Sequence, residues 1–500
     1  MIHLLALLGT IAFVPLDDRP VSLQLPVMLG EIAGERVDTP PESLLGRYLQ
    51  PGDPDAILAW LNATPRAGES FVLSSDMLAY GSLIASRVPG TSYADAYFRL
   101  RALDRLRARY PGAWIACFGT IDRLAPTGVP ADTGYFAPYP LWSYLQQYAN
   151  LHDPPLPKEE AFAAKLRAEI GSTVLDQYLG VRARDLAVDR LLLGLAQSGT
   201  FDRLVLGQDD AGPVGLHVKD VRLLEALVAS NDLAGKVSIE PGADELGMAL
   251  VAHALARRAG WTPHVAVRYS TPSGALFQDP LEFAPISTAI DALIALAGGV
   301  RDDAHPDVVL AVRVPGTTAA EDVAFTTAME REIAAGRSVA LADLSFLRSY
   351  DDQAAFAQSI LASGLAAHLD AYASWNTNAN TAGTALAEAI AAGAGRRAGR
   401  YDALAHKTFT FMRFLDDYAF HDDVRPALNA GLEARGIDRT LPPAPVAAAL
   451  AEQNRAELWS RAQTILAQLD PGYHIAAMRI TLPWARTFET KIEVGIAPRS

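Results

Sequence analysis

Thr10-Ile11-Ala12-Phe13-Val14-Pro15-Leu16-Asp17-Asp18-Arg19-Pro20 is the stretch from which the fold can be read. Five uncharged residues run up to a proline, and two carboxylates and an arginine follow. A run this short and continuously apolar reads as a strand buried on both faces, the mark of a parallel sheet. The wider apolar run, residues 4–14, is too short to span a bilayer. No Lys or Arg precedes it and no small-residue cleavage site follows it, so it does not read as a secretory signal.

Similar runs recur along the chain at residues 71–74, 114–118, 203–206, 237–240, 264–268, 308–312, 339–342 and 369–373. Amphipathic stretches separate them. In residues 93–109, Tyr93, Tyr97, Leu100, Leu103 and Leu106 share one stripe while Arg99, Arg101, Arg105 and Arg109 stay wet, and residues 244–258 and 320–335 look similar. Alternating β and α segments with continuous apolar strands predict an α/β fold, a mostly parallel sheet with helices on both faces. Two doubly wound lobes are the favoured arrangement, and one elaborated β/α barrel is the alternative. The expected divisions are residues 1–270, with an insertion at 120–200, then 271–395, then a mainly helical region 396–500 ending in strands. The Ala-rich residues 384–394 read as a plain helix.

Composition narrows the function. Half of the 500 residues are hydrophobic, enough for a large core, and acids exceed bases to give a net charge of −14. That balance argues against nucleic acid, which needs clustered Lys and Arg. The single cysteine, Cys117, permits neither an intrachain disulfide nor a thiolate zinc cluster, and its apolar strand suggests packing. The expected setting is the cytoplasm, with a small-molecule or glycan substrate as partner and no nucleic acid or membrane. The oligomeric state stays open.

The chain has no G-x-S-x-G elbow, H-E-x-x-H pair or phosphate-binding glycine loop. What recurs is a carboxylate just after a strand: Asp17 and Asp18, Asp76, Asp209 and Asp210, Asp244 and Glu245. In a parallel sheet the C-terminal strand ends share one edge, where ligands bind, so residues distant in sequence can meet there. Crowded carboxylates imply a shared proton, a cation or pairing with Arg19 or Arg87. Each also has a structural explanation. Asp244 could cap a helix, with Glu245 favoured by the helix dipole, and Asp17 or Asp18 could pair with Arg19 in a turn. Asn376, Asn378 and Asn380 could be helix caps or ligand-facing amides. His217 could enter the cleft or be structural. The acidic run Asp416 to Asp423 reads as a solvated helix face.

Five strings occur in order: Val14-Pro15-Leu16-Asp17-Asp18-Arg19-Pro20-Val21, Ser75-Asp76-Met77-Leu78-Ala79-Tyr80-Gly81, Gly207-Gln208-Asp209-Asp210-Ala211-Gly212-Pro213, Pro241-Gly242-Ala243-Asp244-Glu245 and Trp375-Asn376-Thr377. Together they resemble the bacterial family catalogued as domain of unknown function 4127, from about residue 10 to Pro483-Trp484-Ala485-Arg486. His217 and residues 120–140 depart from that pattern. The resemblance carries no activity, but it marks the acidic loops as the family's identifying feature.

The leading expectation is a hydrolase of a carbohydrate or glycoconjugate working through paired carboxylates. Asp209 and Asp210 would supply a base or nucleophile, and Asp18 or Asp76 the acid. Asp17, Arg19, Asp244, Glu245, Asn376, Asn378 and Asn380 would bind substrate, with Tyr80 and Trp375 as stacking surfaces. No cofactor is expected. In the alternative, three or more oxygens from among Asp17, Asp18, Asp76, Asp209 or Asp210 hold a divalent metal that activates water. A non-catalytic solute-binding protein is the third expectation.

Overall fold

The computed structural model describes residues 10–63, 70–127, 141–280, 282 and 284–499. Most of the divergent stretch 120–140 therefore lies outside the described residues, as do residues 4–9 of the first apolar run. The chain forms two compact units. One comprises residues 1–18, 36–247 and 280–284, the other residues 19–35, 248–279 and 285–500.

The first unit is built on six strands: β1 (Ile11–Val14), β2 (Val37–Asp38), β3 (Ser70–Ser74), β4 (Trp114–Ile121), β5 (Arg203–Gln208) and β6 (Val237–Pro241). Their order is β2-β1-β3-β4-β5-β6, and every neighbouring pair is parallel. The central strands carry no wet face. Ile11 to Val14, Phe71 to Leu73 and Ile115 to Phe118 are all buried, as continuous apolar runs require. The chain leaves β1 to one side for β2 and to the other for β3, which makes a switch point beside Asp17, Asp18 and the helix Ser75–Tyr80.

The insertion adds the helices Leu141–Ala149, Glu160–Ile170 and Ser172–Gln197. Leu145, Tyr148, Leu166, Ile170 and Tyr178 give it a small core of its own, which Ala211 of the β5 loop joins.

The second unit has strands β7 (His264–Tyr269), β8 (Val300–Arg301), β9 (Val308–Arg313), β10 (Ser338–Asp343) and β11 (Ala371–Ala373), again all parallel, in the order β11-β10-β9-β7-β8. It repeats the pattern of the first sheet: a central starting strand, one neighbour on one side and the later strands on the other. Two open sheets replace the barrel alternative. The helix Asn378–Ala398, which contains the Ala-rich stretch, is buried along nearly its whole length. Its alanines keep it thin enough to lie covered against β10 and β11. The C-terminal strands β12 (Tyr473–Thr481) and β13 (Lys491–Pro498) form an antiparallel pair. Among the described residues, no helix is long and apolar enough to cross a membrane.

Two of the eleven parallel strands, β2 and β8, escape the sequence pattern because each has only two residues. The acidic run Asp416 to Asp423 is not the solvated helix face that its charge predicts. It lies in an eleven-residue π-helix, Phe414–Val424, whose Asp417 and His421 are buried. Arg413 forms an ion pair with Asp417, and the Ser374 N–H donates to the same carboxylate at 2.8 Å. Paired in this way, an acid can turn inward where an isolated one would face water.

Gly207 shows how tightly the site edge of the first sheet is drawn. A Cβ there would collide with the Gly242 carbonyl, because the β5 and β6 ends are tied by the Gly242 N–H to Gln208 C=O bond at 2.9 Å. Gly207→Ala is therefore expected to cost about 1–3 kcal/mol through overpacking. Urea unfolding of the variant against the parent measures it, and an unchanged midpoint contradicts this packing.

Candidate functional site

At the C-terminal edge of the first sheet, β1, β3, β4, β5 and β6 are each followed by an acid in a water-poor layer. After β1, Asp17 and Asp18 are buried; the Asp18 N–H donates to Gly46 C=O at 3.1 Å, and Arg47 Nε lies 3.9 Å from the Asp18 carboxylate. After β3, Ser74 caps the helix Ser75–Tyr80 by accepting from the Met77 N–H at 3.2 Å, which fixes Asp76 in the first turn. Both Asp76 oxygens are taken: the Thr120 N–H donates to one at 3.0 Å and the Thr120 hydroxyl to the other at 2.8 Å. Burial nonetheless pushes Asp76 up to about 7, with Asp122 repelling its charge and Thr120 pulling the other way. Asp76 is thus an anchor between β3 and β4, not an acid open to a substrate.

Beyond β5 stand Asp209 and Asp210, neighbours in sequence with unlike surroundings. Asp209 is buried, makes an ion pair with Arg87, and takes its backbone hydrogen bond from the end of β4, N–H to Ile121 C=O at 3.1 Å. Burial pushes its carboxyl up to about 6 against the pull of Arg87, and Asp210 and Asp244 add repulsion. Asp210 sits in left-handed backbone, φ 25°, its side chain 31% exposed and 3.4 Å from Arg123 Nη1. A non-glycine residue held in this region is strained, and such strain clusters at functional sites. After β6, Asp244 is half-buried and Glu245 fully buried.

Arginines hold this layer of acids together. Arg87 also donates to Thr127 Oγ1 at 3.3 Å. From the insertion helix Ser172–Gln197, Arg182 donates to the Asp122 and Arg123 carbonyls, both at 3.1 Å, and pairs with Asp220 at 3.1 Å. Arg184 pairs with Asp185 at 2.8 Å and lies 4.6 Å over the Tyr80 ring. Tyr80 is buried beneath it, so that face is closed to a sugar. Burial raises Asp185 and Asp189 well above the carboxylate range. His217 is buried, and desolvation followed by Arg182 lowers it to about 4, so it stays neutral.

The layer includes acids that the sequence reading passed over. Asp122 follows β4 and accepts from the Ser86 hydroxyl at 3.1 Å. The predicted strand stopped at Phe118, whereas β4 runs on to Ile121. With the strand extended, the rule that an acid follows each strand would have found Asp122. Asp185 and Asp189 carried no such signal, because a helix pattern does not say which sheet edge it will cover.

The expected site residues divide between the units. Asp17, Asp18, Asp76, Tyr80, Asp209, Asp210, Asp244 and Glu245 are in the first; Arg19, Trp375, Asn376, Asn378 and Asn380 are in the second. There Thr377 caps the helix Asn378–Ala398, accepting from the Asn380 N–H at 3.3 Å. Asn380 Oδ1 in turn accepts from Asn376 Nδ2 at 2.6 Å and from the Thr377 hydroxyl at 3.0 Å. Asn378 is fully buried, its side-chain amide without a hydrogen-bond partner. Arg19 lies 5.1 Å over the Trp484 ring and lines a small cavity with Trp375. Among the described residues, no three His, Cys, Asp or Glu side chains converge closely enough to hold a metal ion.

The sequence model of a family described as a protein of unknown function, DUF4127, matches residues 11–493, and the chain belongs to that family. No curated protein and no solved structure matches it.

Asp76 yields a pH prediction. An acid raised to about 7 in the folded chain binds a proton there that the unfolded chain releases near the ordinary value, about 4. Its contribution to stability is therefore full below about pH 4 and is lost as pH rises toward 7. Asn copies the protonated acid, accepting from the Thr120 N–H and donating to the Thr120 hydroxyl. Asp76→Asn is expected to match the parent within about 1 kcal/mol at pH 5 and to gain about 1–3 kcal/mol on it at pH 8. Asp76→Ala loses both bonds and costs about 2 kcal/mol at pH 5, and less at pH 8, where it is also spared the ionisation that destabilises the parent. Denaturant titrations at the two pH values measure these differences.

Proposed function

We propose that this chain is a hydrolase of a polar small molecule of the carbohydrate or glycoconjugate class, working in the bacterial cytoplasm through Asp209 and Asp210. The observation that carries this reading is the contrast between two adjacent carboxyl groups. Asp209 is desolvated, with its carboxyl pushed up to about 6, while Asp210 reaches solvent from strained backbone. Acid–base hydrolysis needs one carboxyl group that can give a proton and one that stays ionised, and unlike surroundings are how one fold supplies both.

In this reading Asp209 protonates the leaving group, and Asp210 acts as the base or nucleophile. The roles differ from the sequence expectation, because both Asp76 oxygens are held by Thr120. Arg87 restrains the Asp209 carboxyl and limits how far its pKa can rise. Arg123 steers Asp210.

A panel of chromogenic glycosides tests the proposal. Asp209→Asn and Asp210→Asn are each expected to lower kcat by about 10²–10⁴-fold on the substrate that the parent turns over. Because Asp209 must be protonated to act, parent activity should fall as pH rises through about 6. Turnover by both variants at the parent rate contradicts the proposal, as does a parent inert on the whole panel.

A further inference from the structure

Within the second unit, a cavity of about 350 Å³ opens between the end of β11, the segment Phe346 to Tyr350 and the π-helix Phe414–Val424. Phe346, Leu347, Tyr350 and Trp375 give it apolar and aromatic walls, and Asn376, His421 and Arg425 give it polar ones. Its volume falls in the usual range for small-molecule sites, about 300–1,000 Å³.

Arg425 decides what such a site would take. Its Nη1 donates to His421 Nδ1 at 3.0 Å, and its guanidinium stacks on the Phe488 ring at 4.8 Å. No carboxylate forms an ion pair with it among the described residues, although it is only partly exposed. A guanidinium has five N–H donors, and one is used here. Glu489 is near but is held by Arg486 through two bonds, at 2.9 and 3.0 Å. An arginine can only donate, so His421 Nδ1 must accept and the neutral ring carries its proton on Nε2. His421 therefore adds no charge to compete for an anion. Asp416 also acts on Arg425 but is paired with Arg413 at 3.1 Å, so a half-buried arginine with no ion pair of its own stands beside an aromatic cavity, a place prepared for an anion.

Asn376 supplies the second contact. Its backbone is left-handed, φ 60°, and its Nδ2 is committed to Asn380 at 2.6 Å. The carbonyl oxygen of that amide remains as an acceptor suited to a hydroxyl. Strained backbone, an oriented amide, aromatic walls and an unpaired guanidinium together fit a hydroxylated ring bearing one negative group.

We infer that this cavity binds an acidic monosaccharide of the uronate class, its carboxylate on Arg425, a hydroxyl on Asn376 Oδ1 and its ring against Trp375 and Tyr350. This is a binding site in the second unit, independent of the hydrolysis proposed for Asp209 and Asp210, and its test reads binding rather than turnover.

Calorimetric titration of the full chain with glucuronate, galacturonate, glucose and glucose 6-phosphate decides it. At least one uronate should bind, about tenfold or more tighter than glucose and tighter than the phosphate ester. Arg425→Gln should weaken uronate binding by about tenfold or more, with Arg425→Lys between the two, because a point charge replaces a planar fork. Asn376→Gly loses the Nδ2 bond to Asn380 but relieves the left-handed backbone, so it should fold about as stably as the parent while weakening binding; it reads the site even if the Arg425 variants fold poorly. Equal binding of glucose, tighter binding of the phosphate ester, no uronate binding, or affinity unchanged in Asn376→Gly overturns the assignment.

Discussion

The ion pair between Arg87 and Asp209 sets the terms for the acidic edge of the first unit. A parallel sheet brings all its C-terminal strand ends together, and in this chain those ends carry acids. Buried like charges at such an edge would repel one another, and burying any one of them without a partner is costly. Arg87 meets Asp209, Arg123 meets Asp210, and Arg182 holds the carbonyls at the end of β4. The arginines do not cancel the burial penalty completely. Asp76 and Asp209 stay raised, Asp76 as a buried anchor on Thr120 and Asp209 as the acid of the proposed site.

The second unit solves the same problem with different parts. Its edge acid Asp343 is buried, bonded by the Ser345 hydroxyl at 2.6 Å and faced by Arg313 at 3.4 Å. Arg313 also pairs with Asp322 and Asp352, so one guanidinium serves three carboxylates. The π-helix then turns Asp416, Asp417 and His421 inward. π-Helical turns recur at functional sites, and this one forms a wall of the cavity where Arg425 stands without an ion pair. One unit thus crowds acids at its sheet edge, and the other sets Arg425, which makes no ion pair among the described residues, beside an aromatic cavity.

Strand positions were legible because residues such as Phe13, Val72 and Leu341 can only be placed in a sheet covered on both faces. The acids after those strands were legible for the same reason, since topology alone brings Asp76 and Asp209 to one edge. Partner choice was not. Nothing in the spacing says that Thr120 will occupy both oxygens of Asp76, or that the insertion will send Arg184 over Tyr80. The acidic run Asp416 to Asp423 misled because periodicity sorts residues into wet and dry faces on the assumption that charge means water. Arg413, four residues before Asp417, was the available hint that the charge could be answered inside.

Burial pushes the Asp209 carboxyl up towards neutrality despite the arginine beside it. Carboxyl-carbon NMR titration of aspartate-labelled protein reads this directly, with Asp209→Asn assigning the resonance. A midpoint near 6 is expected. A midpoint at or below the ordinary aspartate value, about 4, would mean that Arg87 fully compensates the burial and that this edge has no acid to offer.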